Sequence, residues 1–189
     1  MHYLKIIILI LFFYASLLSA DLKAFSEMAI TIQLNRELNQ TPFNQFWREG
    51  DGFSLIYQTP FYRGNITAGM AYTPYHGKTS DRPDYQSYFI SLGWFYPFCL
   101  PFKFQYAPGI RFGNYLMNFD IDSDENKYES EIGYDIFCFL ERPITDQVCF
   151  NIELSRTTVS TYEALTFSHI RTGLTFKINE TKWLEDLFK

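Results

Sequence analysis

Beyond its first twenty residues this 189-residue chain has no long apolar run. That leaves no segment able to cross a bilayer as a helix, which needs about 20 consecutive apolar residues. Cysteine is scarce. Cys99, Cys138 and Cys149 are odd in number and fit no metal-ligand spacing, so they read as packing residues near one rim. A Cys138–Cys149 bridge is opposed by parity, which points one side chain outward and the other inward. No cysteine follows the N-terminal apolar segment, which argues against a lipoprotein anchor. Positive charge is also in the minority, with 16 Lys and Arg against 21 Asp and Glu and a net charge of −5. Nucleic-acid binding rewards basic surfaces, so no nucleic-acid partner is expected.

The first twenty residues have the layout of a secretory signal. Lys5 forms a short positive region, Ile6 to Leu18 an apolar core, and Ser19-Ala20 a small-residue cleavage point, with Leu18 larger than usual for its place. Removing them takes away Lys5 alone among the charges and leaves 15 basic and 21 acidic residues, net −6. The expected organisation is a signal peptide over 1–20, one barrel domain over 21–178 and a periplasmic tail over 179–189.

What the chain has in abundance is aromatic residues, at 20%. They favour strands, and they favour the lipid–water boundary. Many sit in alternating stretches. The clearest sets Phe102, Phe104, Tyr106, Pro108, Ile110 and Phe112 against Lys103, Gln105, Ala107, Gly109 and Arg111. Period two marks a strand with two unlike faces. Eight such strands are predicted, over roughly 24–35, 52–61, 65–75, 85–96, 102–118, 128–141, 147–157 and 164–178. One face carries residues such as Ile32, Leu55, Met70, Leu92, Ile136 and Leu154. The other carries Thr31, Gln33, Ser54, Thr67, Ser91, Lys103, Arg111, Glu129, Glu131, Asp135, Asn151, Glu153, His169, Arg171 and Lys177. A soluble ligand-carrying barrel would be apolar inside. Apolar outside and charged inside suits a barrel whose solvent is lipid.

The connections alternate between short, Pro-containing turns (60–64, 97–101, 142–146) and longer polar loops (36–51, 119–127), with 77–84 intermediate and the link near Ser160 short. The fold class is therefore all-β, an eight-stranded antiparallel up-and-down transmembrane barrel with both termini on the short-turn, periplasmic side. Residues 22–178 resemble the small eight-stranded bacterial outer-membrane β-barrel superfamily. In the last strand, Arg171, Gly173, Phe176 and Ile178 resemble the pattern by which that superfamily is recognised for barrel assembly, with Ile178 where an aromatic is usual. The chain then continues to Trp183, Leu184, Leu187 and Phe188, whereas many relatives stop at the strand. The resemblance implies outer-membrane lipid, lipopolysaccharide and the barrel-assembly machinery as partners, and a monomer in the outer membrane.

Four constellations bear on chemistry. Pairing strands about their connections puts Arg111 opposite Asp135, Asp135 beside Glu153 and Glu153 near Arg171. This lumen belt reads plus, minus, minus, plus, and buried charges are normally paired. It is read as a structural plug, with a pore constriction as the alternative. Asp120, Asp122, Asp124 and Asn126, with Glu131, partly mimic a calcium loop, but Glu125 replaces the glycine that the turn requires, so a solvated acidic loop is expected. His76, Ser80, Asp81 and Asp84 offer catalytic residue types near the outer rim, and Ser168-His169 offers neighbours of opposite parity. Neither shows the mutual reach that catalysis needs. Finally, Tyr72, Tyr75, Tyr85 and Tyr88 at one boundary, and Tyr62, Trp94, Tyr96, Phe98 and Phe102 at the other, read as anchoring girdles. No catalytic residue, metal or cofactor is assigned. The expected role is envelope integrity, or surface interaction through long loops in which Phe43, Phe46 and Trp47 could make contacts or cover the mouth. A narrow solute channel, a lipid A-modifying enzyme and a soluble periplasmic ligand-binding barrel are the alternatives.

Overall fold

The fold is seen in a computed structural model, described over residues 25, 27–38, 45–121, 127–162 and 164–179. Ten strands occur in chain order: β1 Glu27–Glu37, β2 Trp47–Glu49, β3 Gly52–Phe61, β4 Gly64–Gly77, β5 Tyr85–Phe95, β6 Phe98–Cys99, β7 Gln105–Phe119, β8 Tyr128–Pro143, β9 Val148–Val159 and β10 Leu165–Asn179. Eight of them pair antiparallel in a ring, β1–β3–β4–β5–β7–β8–β9–β10. The ring closes where β10 pairs with β1, from Glu27↔Asn179 to Glu37↔His169. A closed antiparallel barrel leaves no sheet edge, which is what lipid demands of strands.

The alternation in sequence becomes two surfaces. Leu34, Leu92 and Ile132 on the outside are about 70% exposed, while Asp135 and Glu153 inside are at most 1% exposed. The inverted exposure, apolar out and charged in, is the arrangement of a barrel that spans a membrane. On the outside Phe53, Tyr72 and Tyr88 form one aromatic row, with neighbouring centroids 5.3 Å apart. Trp94, Tyr96, Phe98 and Tyr106 form another row near the opposite rim.

Several expectations need correction. Phe102 and Lys103 do not begin a strand. Pro101–Lys103 is a 3-10 turn in which both residues have positive φ, 61° and 62°. Pro101 cannot donate to a ladder, and β6 folds back to pair Phe98 with Tyr106 and Cys99 with Gln105. Lys103 is therefore exposed at the rim and not in the lumen. Tyr75 and Tyr85 are not girdle residues. Their odd positions turn them inward, where they stack at 4.6 Å. The β8–β9 hairpin turns two residues later than its proline suggests, so Asp135 lies opposite Thr157 and Glu153 opposite Phe139. All three cysteines are free. Cys149 is buried, and Cys138 is half-buried on the outward parity.

The interior is filled in layers. A large aromatic cluster near the long-loop end contains Tyr75, Tyr85, Phe89, Tyr115, Met117, Val159 and Phe167. A smaller one near the short-turn end contains Phe95, Ala107, Phe137 and Phe139. Between them lie buried polar residues that include Arg111, Asp135, Glu153 and Arg171.

Candidate functional site

At the centre of the lumen, β7, β8, β9 and β10 each contribute one charge. Arg111 grips Glu153 bidentately, Nη1 to Oε1 and Nη2 to Oε2, each at 2.7 Å. The same Nη1 donates to Asp135 Oδ2 at 3.0 Å. From the far side Arg171 Nη1 meets both carboxylates, Asp135 Oδ2 at 3.2 Å and Glu153 Oε1 at 2.5 Å. Thr157 donates its hydroxyl to the remaining Asp135 oxygen. The Arg111 guanidinium lies 3.6 Å above the Phe137 ring. Two positive and two negative charges thus cancel in a closed box, and the planar forks of arginine suit it.

Register accounts for half of this arrangement. Arg111↔Asp135 and Arg171↔Glu153 are direct strand partners. Asp135 and Glu153 are not, and only the long arginine side chains reaching across the lumen bring them onto shared nitrogens.

Alongside runs an uncharged ladder. Ser54 donates to Gln33, Gln33 to Asn151, and Asn151 to Thr175, with Thr31 hydrogen-bonded to Thr175. Two cavities beside the charge box, both lined by Arg111, are about 10 Å³ each. That admits one water at most.

Over the long-loop mouth lies a short strand that the sequence reading lacked, although that reading gave Trp47 as one possible cover. β2 folds back onto the top of β4, pairing Trp47 with Gly77 and Glu49 with Tyr75. Trp47 sits edge-on to Tyr85 at 5.8 Å and donates from Nε1 to the Pro83 carbonyl. Phe46 lies at the surface with Arg82 over its ring, and Phe43 lies outside the described residues. Glu49 is buried at the mouth. Its Oε2 accepts from the Glu37 backbone N–H, and its Oε1 lies 3.9 Å from His169 Nε2. Burial pushes the Glu49 carboxyl up to about 7, and the neighbouring Glu37 carboxylate pushes the same way.

The folded value exceeds that of an unfolded glutamate, about 4.3. The mouth is therefore most stable below that value and weakens as pH rises through about 7. Hydrogen exchange at the Gly50 amide, which donates to the Pro74 carbonyl and ties the end of β2 to β4, should show, once corrected for intrinsic rate, less protection at about pH 8 than at about pH 5, and Glu49→Gln should abolish the difference. Equal protection at both pH values in the unaltered protein would contradict this.

The rim candidates separate. His76 Nδ1 and Asp84 Oδ2 are 2.9 Å apart, and the Gly77 N–H donates to Asp84 Oδ1. The His76 bond, then that of Gly77, holds the Asp84 carboxyl below its usual range. Asp81 pairs with Arg82 at 3.9 Å. Among the described residues no hydroxyl, Ser80 included, joins His76 in a triad. His169 is buried in the lumen and Ser168 has the opposite parity. Asp122, Asp124 and Asn126 lie outside the described residues, as do Trp183, Leu184, Leu187 and Phe188. Among those that are described, no three acidic, histidine or cysteine side chains group as a metal site.

No protein-family model matches the sequence, and no curated protein matches it. Comparison of structures does find relatives in shape. The barrel is similar to Neisserial surface protein A, with a TM-score of 0.59 at 11% identity, covering 84% of this chain and all of that one. It is similar to the outer membrane protein Ail of Yersinia pestis, with a TM-score of 0.54 at 14% identity over 81% and 99% of the two chains. It is also similar to the outer membrane protein OprG of Pseudomonas aeruginosa, with a TM-score of 0.53 at 11% identity over 83% and 98%. The fold is that of the small outer-membrane β-barrels. At these identities the likeness concerns the shape of the barrel, and the charge box stands on its own geometry.

Proposed function

We propose that this protein is a monomeric, plugged outer-membrane barrel that acts in envelope integrity or in surface contact, with its loops as the working part and its lumen as a rigid strut. The observation that carries this reading is the plugged middle of the lumen, where a neutral four-charge box lies between two aromatic clusters and two cavities beside it each admit one water at most. The apolar outer surface and its aromatic rows support a place among outer-membrane lipid and lipopolysaccharide. Gly173 and the apolar residues after it support insertion by the barrel-assembly machinery. The names borne by similar structures, a surface protein and an attachment invasion locus protein, agree with a role at the cell surface. The reading is non-enzymatic, because the His76–Asp84 pair lacks a nucleophile within the described residues.

Planar bilayers test the proposal. The purified protein should shift in gel mobility on boiling, as a closed barrel does, yet give no discrete current steps. Reproducible steps from folded protein would refute the plug and restore the narrow-channel alternative.

A further inference from the structure

The short-turn end of the lumen is shaped differently from the rest. Below the rings of Phe95 and Phe139, which meet edge-on at 4.9 Å, the barrel opens into a cavity of about 150 Å³. Its wall is built by the ends of seven strands of the ring. Glu141 is 4% exposed and faces Lys177 at 3.8 Å, and Glu27 adds a half-buried carboxylate to the same wall. Gln58 from β3, Asn65 from β4 and Gln105 from β7 also line the cavity. All three are half-buried. Each side-chain amide offers two donors and an acceptor.

We propose that this vestibule is a binding site for a neutral, polyhydroxylated ring of the size of a single sugar unit. Three convergent amides match a ligand that both donates and accepts at several positions. The Phe and Pro side chains of the wall would cover its C–H face. A few convergent polar groups against an apolar wall are the usual make-up of a small-molecule site, and the volume lies below the roughly 300–1,000 Å³ of drug-sized pockets, which limits the occupant to one small ring. An anionic ligand fits less well, because Glu27 and Glu141 set two carboxylates against the single ammonium of Lys177 in the wall.

Saturation-transfer NMR in a sugar-free amine-oxide detergent tests this, with glucose as the probe and glycine betaine, a small zwitterion carrying both an ammonium and a carboxylate, as the comparison. Transfer to glucose ring protons is expected in the unaltered protein, with none to glycine betaine. The signal should fall at least several-fold in Gln58→Leu/Gln105→Leu, provided that this variant keeps its gel shift. Absence of transfer to glucose in the unaltered protein overturns the proposal whatever the variant does. So does equal transfer to glycine betaine, or an undiminished glucose signal in the folded variant.

Discussion

Arg111→Ala should lose about 3–5 kcal/mol of stability, the usual result of removing one partner from a buried ion pair. The direction follows from the geometry. Arg111 makes three hydrogen bonds to Asp135 and Glu153, and its guanidinium covers the Phe137 ring. Without it two carboxylates that are at most 1% exposed keep Arg171 as the one cation of the box. Equilibrium unfolding in urea, in lipid vesicles, would show the loss as a lower midpoint with an unchanged slope. A second variant separates charge balance from packing. Replacing all four together, Arg111→Met, Asp135→Asn, Glu153→Gln and Arg171→Met, removes the charges and their desolvation at once, and should lie closer to the unaltered protein than Arg111→Ala does. A single variant as stable as the unaltered protein would mean that the box contributes nothing. A quadruple variant far below the single would mean that its value lies in attraction and not in avoided imbalance.

How much of this site was legible beforehand depends on range. Two of its three strand pairings, Arg111 with Asp135 and Arg171 with Glu153, follow from counting outward from the connections. The third fails because Pro143 still belongs to β8, and the chain turns only after it. A proline near a strand end is a weak marker of where a turn is centred. The box forms all the same, since arginine reaches further than one strand spacing and the lumen is narrow. The aromatic clusters were present in the pattern as well. Phe89, Tyr115, Phe137, Phe139 and Phe167 all occupy inward parity, but an expectation of a polar interior hides them. β2 could not be read from periodicity, because three residues carry no period. Only the closeness of residues 45–51 to the top of β4 creates it.

Gly173→Ala should prevent the barrel from closing. A Cβ at this position would lie 1.9 Å from the Ile32 carbonyl oxygen and 2.7 Å from the Gln33 Cα. Both atoms are backbone, in β1, across the seam that makes the sheet a ring. Relief requires the two strands to part by about 1 Å or more, and overpacking in a close-packed interior already costs about 1–3 kcal/mol when only side chains must move. Gly133→Ala is the milder control, because there the new methyl would meet only the edge of the Phe89 ring, at 2.9 Å. Gly173 is also the glycine of the assembly-like pattern formed with Arg171, Phe176 and Ile178, so two explanations of its presence compete. Recognition by the assembly machinery predicts a variant that fails in cells but refolds normally from urea into detergent micelles. Close strand packing predicts failure in both, with the unheated sample running at the mobility of the boiled one. The geometry supports the second outcome, and normal refolding of Gly173→Ala in micelles would refute it.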